Sequence, residues 1–380
     1  MVSVPEVTGR KVTRRAFTTG LAAVCAGSAA GALPLLPRRA LAQEVRYLRI
    51  GTGDVGGVYF RIGGILANVF SDPGYNTDCS ENGLCGVPGL IAISQATEGS
   101  VQNMELLEEG ALEAALGQAD VAYWAYHGEE LYAGSPHQSI RGLANLYSEA
   151  VHIAVRRDSD IRSLADLRAK RVIVGTGGSG TLIGAGMILN GVGLTFDDIE
   201  PIHENLVRGV GMLKNGEADA LFVITGAPAP GLQPLAQDPG FRLLPIEDEP
   251  ASTVMAEAPF FTRIRITEES YPGVAETPTL AVGAQLFVRS DLDEETVFEL
   301  TRALWHPSNR QVLNNGHAIG QRILLTTALN GMAVPLHPGA QRYYDSADLP
   351  GREAPDHPEE DAAAEENGEE GAEGEEATGE

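Results

Sequence analysis

The stretch 46-RYLRIGTGDVGGVYFRIGGILANVF-70 sets Gly51, Gly53 and Gly56 in the order G-x-G-x-x-G, after an apolar run and ahead of a helix-like pattern. The device returns in 171-RVIVGTGGSGTLIGAGMIL-189, where Gly175, Gly177 and Gly180 take the same spacing. One match is weak evidence for any ligand, because glycines also serve tight turns and close packing. Two matches in one chain ask for a common cause.

A dinucleotide would need an Asp or Glu about 20 residues past the turn, at the end of a second strand, to hold the ribose hydroxyls. After the first turn that place falls in the loop 72–78; after the second it falls at Asp197 and Asp198, ahead of a candidate strand at 199–203. Neither fits, and no cofactor is expected. The same physics works without one: a Gly-rich turn exposes backbone N–H groups at a helix N-terminus, where the helix dipole favours an anion such as a small carboxylate. Thr52, Ser179 and Thr181 add hydroxyl donors. A nucleophilic reading also exists, since 177-GGSGT-181 is similar to part of G-x-S-x-G, but that motif needs a particular His and acid. His203, His306, His317 and His337 are all available and nothing selects one, so an exported serine hydrolase stands as the rival class. The eight histidines form no metal signature.

The surrounding pattern is α/β. Strand-like runs at 48–51, 90–94, 153–155, 172–175 and 221–224 alternate with helical stretches at 60–70 and 100–116, the latter with Val101, Met104, Leu107 and Ala111 on one face. Such alternation predicts parallel sheets with helix-covered faces. A duplication lies inside it. The segments 106-LLEEGALEAALGQAD-120 and 213-LKNGEADALFVITG-226 each read as a helix, a Gly stop, an acidic-Ala pair and an apolar strand, and each follows one of the Gly-rich turns. Two like units facing each other would put both turns on one cleft, beyond the carboxyl ends of their strands.

The first 42 residues have the layout of an export leader: basic residues including Arg14 and Arg15, a mildly apolar run, and Ala40-Leu41-Ala42 as a small-x-small cleavage site. The threonine, paired arginines and Phe17 resemble a twin-arginine signal. A lipid anchor on Cys25 is disfavoured by the bulky Val24 before it. No later apolar run reaches the roughly 20 residues of a spanning helix, so direct membrane insertion is not expected. Cys79 and Cys85 then remain, and in an oxidising compartment a disulfide is the expectation. From 353 to 380 there are thirteen acidic residues and no Lys or Arg, a tail with too little to bury to fold. The chain carries a formal charge of −25, which argues against nucleic acid and anionic lipid as partners.

The stretches 50-IGTGDVGGVYFRIGG-64, 97-TEGSVQN-103, 118-QADVAYWAY-126, 162-RSLADLRAKRVIVGTGGSGT-181, 219-DALFVITGAP-228, 270-SYPG-273 and 334-VPLHPGAQRYY-344, in that order, resemble the TAXI-type solute receptors of tripartite (TRAP) transporters. The resemblance spans roughly residues 45 to 345. It implies a two-lobed α/β fold of the periplasmic-binding-protein type II (Venus-flytrap) kind, with a central cleft and no enzymatic activity. The ligand implied is a small organic anion or amino acid, of glutamate, glutamine or dicarboxylate type, delivered to TRAP membrane permease subunits. Receptors of other uptake or sensory systems share the expected fold. Lobe I is expected at 44–145 plus 275–350 and lobe II at 146–274, with the hinge near 141–155 and the return crossing near 279–288. By position the resemblance assigns Gly53, Gly56, Gly57, Tyr59, Gly99, Ser100, Asn103, Gln118 and Asp120 to one side of the ligand. It assigns Gly178, Ser179, Gly180, Thr181, Thr225, Gly226 and Pro228 to the other. Two departures from the family pattern, Arg61 and Glu98, become candidates for a side-chain carboxylate clamp and an ammonium acceptor.

Overall fold

Eight strands follow one another across a single sheet in the order Leu90–Gln95, Arg46–Gly51, Ala114–Gln118, Thr277–Arg289, Ile140–Arg156, Ala220–Thr225, Arg171–Ile173, Glu200–Ile202. The computed structural model describes residues 45–72, 85–238 and 240–347; the leader, Cys79 and the acidic tail lie outside the described residues. On each side of the two central strands, the chain visits the outer strands in the same sequence, second, first, third, counting inward from the edge. First and second pair in parallel, as do first and third, in both halves. The third strand of each half runs antiparallel to a central strand: Ala114–Gln118 to Thr277–Arg289, and Ala220–Thr225 to Ile140–Arg156. The result is a two-lobed α/β fold whose halves share two long strands.

The duplicated segments match down to single hydrogen bonds. Arg49 donates its backbone N–H and its Nε to Glu113, at 2.7 and 2.9 Å, and a further guanidinium N–H to the carbonyl of Gly110. Arg171 does the same to Asp219, at 3.0 and 3.1 Å, and to the carbonyl of Gly216. Gly110 and Gly216 both have φ of 74°, the left-handed stop that L side chains resist. Each arginine thus ties its first strand, Arg49 from the middle of Arg46–Gly51 and Arg171 from the start of Arg171–Ile173, to the turn entering the third.

Ile140–Arg156 is the longer crossing strand. Its first part pairs with Thr277–Arg289 and its last part, from Ala150, with Ala220–Thr225. Both crossing strands run where the sequence reading put the hinge and the return, but antiparallel to each other and to the third strands, so the sheet is mixed and not parallel throughout. The helical stretch expected at 100–116 is also shorter: Ser100–Glu108 is helical, and Gly110 turns the chain into Ala114–Gln118. The acidic and Ala-rich composition supports helix locally, but the strand gains ladder hydrogen bonds and burial, with all five of its residues buried.

The first Gly-rich turn leads into the helix Val58–Phe70, which starts at Gly57 and lays Ile62, Leu66 and Val69 on the sheet with no exposure. Fully burying three such side chains contributes roughly 1.5–3 kcal/mol each before entropy is counted. The second turn leads into Gly180–Asn190, whose buried Ala185, Ile188 and Leu189 join the core of the second half, where the helix lies against Ala220–Thr225.

Candidate functional site

Between the halves lies a cavity of about 360 Å³, within the range that small ligands occupy. Four helices begin at its wall: Val58–Phe70, Ser100–Glu108, Gly180–Asn190 and Leu206–Asn215, two from each half. Their N-terminal N–H groups and dipoles favour a negative group there. Gly99, the residue before the second of these helices, has φ of +131°, and a Cβ on it would come 3.5 Å from Ser179 Cα across the cavity. The backbone conformation is what calls for glycine there, since the approach itself is ordinary van der Waals contact.

The structure brings Gly53, Gly57, Tyr59, Glu98, Gly99, Ser100, Gln118, Ser179, Gly180, Thr181 and Thr225 to the cavity wall. It places the others elsewhere. Arg61 is exposed on the helix beside His317, whose ring it holds below the ordinary imidazole range after burial has done so first. Asn103 is fully buried and donates both amide hydrogens to backbone carbonyls, of Thr52 and Leu116, at 2.7 Å each. Gly226 packs against Ile319 and Tyr147, and Pro228, which follows a cis peptide bond, lies half-buried beyond it. Gly56 and Gly178 sit where the two halves touch. The N–H of Gly231 donates to the carbonyl of Gly56 at 2.9 Å, and that of Gly178 donates to Glu98 Oε2 at 2.8 Å. Glu98 therefore already bonds the opposite half, and Gln102 reinforces it by donating its N–H to the carbonyl of Gly178 at 3.0 Å.

Several hydroxyls are committed to the backbone. Ser179 Oγ donates to the carbonyl of Thr176 and accepts the N–H of Leu182, which makes it a helix cap. Thr181 Oγ1 accepts the N–H of Ile224, and Thr225 Oγ1 accepts that of Val58 from the other half at 3.2 Å. No histidine lines the cavity, and among the described residues no group of three or more His, Cys, Asp or Glu is placed to hold a metal ion.

Sequence reasoning missed the acid at the cavity floor. Glu149 lies on the crossing strand, 1 % exposed, just before Ala150, where the strand takes up its partners in the second half. Tyr59 donates its hydroxyl to Glu149 Oε2 at 2.6 Å, and the Gln118 side chain also bonds this carboxyl. Burial raises Glu149 to about 8 and the charge of Asp120 adds to the rise, against the hydrogen bonds from Tyr59 and Gln118. Asp120, fully buried behind it, is itself raised to about 6 by burial. The signal available was an acid inside the apolar run 147-YSEAVHIAV-155, since a buried carboxyl needs a partner or a purpose. Also missed were Asp54, Thr97, Glu204, Asn205 and Leu206; Asn205, which caps the helix Leu206–Asn215 by accepting the N–H of Arg208, stands directly before a helical pattern.

A second, larger cavity of about 600 Å³ opens near Asn145, Phe260 and Arg322, with no carboxylate in its wall. No described helix is long and apolar enough to cross a membrane. Cys85 is buried and disulfide-bonded.

Residues 50–347 match the NMT1-like family, and the chain belongs to that family. Among solved structures it is similar to the periplasmic aliphatic sulphonate binding protein SsuA from Escherichia coli, at 16% identity and TM-score 0.40, over 79% of this chain and 78% of that one. It is also similar to PhnD1 from Prochlorococcus marinus in complex with methylphosphonate, at 11% identity and TM-score 0.45, over 71% and 90% of the two chains. A TctC solute binding protein from Polaromonas matches at 16% identity and TM-score 0.41, over 73% and 94%.

Proposed function

We propose that the chain is an exported solute receptor of the TAXI class, serving a TRAP-type transporter. It captures a small organic anion or amino acid, of glutamate, glutamine or dicarboxylate type, and passes it to membrane permease subunits. The observation that carries this reading is the convergence of both Gly-rich turns, one from each half, on a single cavity at helix N-termini. The hydrogen bonds across the mouth, Gly178 to Glu98 and Val58 to Thr225, suit a closed form. Function then consists of differential affinity between open and closed states. Lobe I comprises 44–145 with 275–350 and lobe II 146–274. The leader directs the protein to the periplasm by the twin-arginine route, and Cys79 pairs with Cys85 there.

Ser179 favours this over the hydrolase reading, because its hydroxyl caps a helix and no imidazole lines the cavity. The test is thermal-shift screening of the mature protein against amino acids, dicarboxylates and keto acids. A ligand at a hundred times its dissociation constant stabilises by about 2.7 kcal/mol. Absence of any shift across all three sets, or turnover of a stabilising compound, removes the proposal.

A further inference from the structure

The cavity is charged in one sense only. Asp54, Glu98, Glu149 and Glu204 line it, and no Lys, Arg or His does. The helix N-termini provide for a ligand carboxylate, but a purely anionic ligand would meet these acids with no cation to offset them. Of the four, Glu149 is the one buried at the floor, and it is held as an acceptor: Tyr59 and Gln118 both direct hydrogen bonds to it.

Other acceptors beside it are unfilled. Gln118 is 2 % exposed and lines the cavity, yet its Oε1 has no hydrogen-bond partner among the described residues. The Oδ2 of Asp120, behind Glu149, has none either. Buried acceptors without donors are costly, and an ammonium group brings three donors and one positive charge.

We propose that the Glu149 carboxylate, held by Tyr59 and Gln118, is the anchor for a protonated amine on the ligand, and that Glu149 gives up a proton to solvent when that amine binds. The proposal rests on the reading of this cavity as the ligand site. It narrows the ligand to a zwitterion: amine at the floor, carboxylate at the helix N-termini. It also moves the ammonium contact from Glu98, which spans the mouth, to a residue where the two halves meet.

Proton exchange follows from what faces Glu149. Around it stand Tyr59 from the helix Val58–Phe70, Asp120 and Gln118 from the start of the helix Ala119–His127, and Tyr147 from its own strand. None is cationic. Burial keeps both tyrosines protonated well above their ordinary range, and burial with the Asp120 charge holds Glu149 protonated at neutral pH. A bound cation reverses that balance. Below about pH 8 the apparent affinity should then rise about tenfold per pH unit, and flatten above it.

The experiment uses matched pairs of probes on the full mature chain: L-glutamate with 2-oxoglutarate, L-alanine with pyruvate, L-leucine with 4-methyl-2-oxopentanoate and L-phenylalanine with phenylpyruvate. Titration calorimetry at pH 6, 7 and 8, in phosphate and in Tris, counts the protons released. The expected result is that an amino acid binds, that its oxo partner binds roughly 30-fold or more weakly, and that about one proton leaves per ligand below pH 8. Glu149→Gln copies the protonated form, keeps the fold, and loses both the affinity and the pH slope. Tyr59→Phe, a second variant, removes one donor to the carboxylate and moves the affinity profile to higher pH. An oxo acid binding as tightly as its amino partner, affinity falling with pH, or an unchanged slope in Glu149→Gln overturns the proposal while leaving the receptor reading in place. Binding of no probe to wild type at any of the three pH values overturns the amine anchor, and extension of that failure to dicarboxylates overturns the receptor reading too.

Discussion

Gly178→Ala is the substitution that separates closure from folding. A Cβ on Gly178 would lie 2.9 Å from Glu98 Cβ and 3.0 Å from Gln102 Cβ, both on the opposite side of the mouth. Two of these atoms cannot yield without moving backbone, so the mouth must part. Parting strains or breaks two hydrogen bonds, from Gly178 N–H to Glu98 Oε2 and from Gln102 N–H to the Gly178 carbonyl. At about 0.5–1.5 kcal/mol each, the closed form loses roughly 1–3 kcal/mol, which is about 5- to 150-fold in apparent affinity. When the halves separate, the methyl group meets no opposing lobe, so the ligand-free protein should melt at the wild-type temperature. Gly177→Ala is the control, because a Cβ there has nothing within 4 Å. The assay is calorimetric titration with a stabilising compound from the thermal screen, with small-angle scattering to follow closure. If Gly178→Ala binds and compacts as Gly177→Ala does, the mouth contacts described here are not those of the ligand-bound form.

Three further outcomes can be checked. Ser179→Ala removes a helix cap and should lower stability by about 1 kcal/mol in chemical denaturation, with no dependence on substrate. His152 is fully buried, takes the Tyr271 hydroxyl on Nε2 at 3.0 Å, and is lowered to about 4 mainly by burial. Its neutral ring therefore contributes stability that is complete above about pH 6.5 and is lost, up to about 3 kcal/mol, as pH falls toward 4; acid melting curves of His152→Gln should lack this component. Asp219→Asn weakens the bonds from Arg171 and leaves Glu113 with Arg49 intact, so hydrogen exchange should quicken around Arg171–Ile173 and not around Arg46–Gly51; equal changes in both would contradict the independence of the two units.

Much of the architecture was legible because it is local. The turns around Gly51 and Gly175, the helix over 60–70 and the strands near 90–94 and 221–224 each carry a short-range pattern that the folded chain keeps. The duplication was legible for the same reason, as a Gly stop followed by Glu113 or Asp219. Where the reading went astray, a longer-range term prevailed. The helix drawn to 116 ended at Glu108 because the strand Ala114–Gln118 has neighbours on both sides. Arg61 follows Tyr59 by two positions, and that spacing on a helix turns it away from the face that Tyr59 presents to the cavity.

The sequence by itself determined the repeat, the glycine turns at helix N-termini and the scarcity of cationic groups, since all of these are properties of neighbouring residues and composition. Only the tertiary structure decided which polar groups share one cavity. Glu149, Gln118, Tyr59 and Asp120 come from three separated segments. What makes Glu149 unusual is the burial they impose together, which no segment of the chain shows alone. The same holds for Glu98: its partner, the N–H of Gly178, lies 80 positions away along the chain and 2.8 Å away in space.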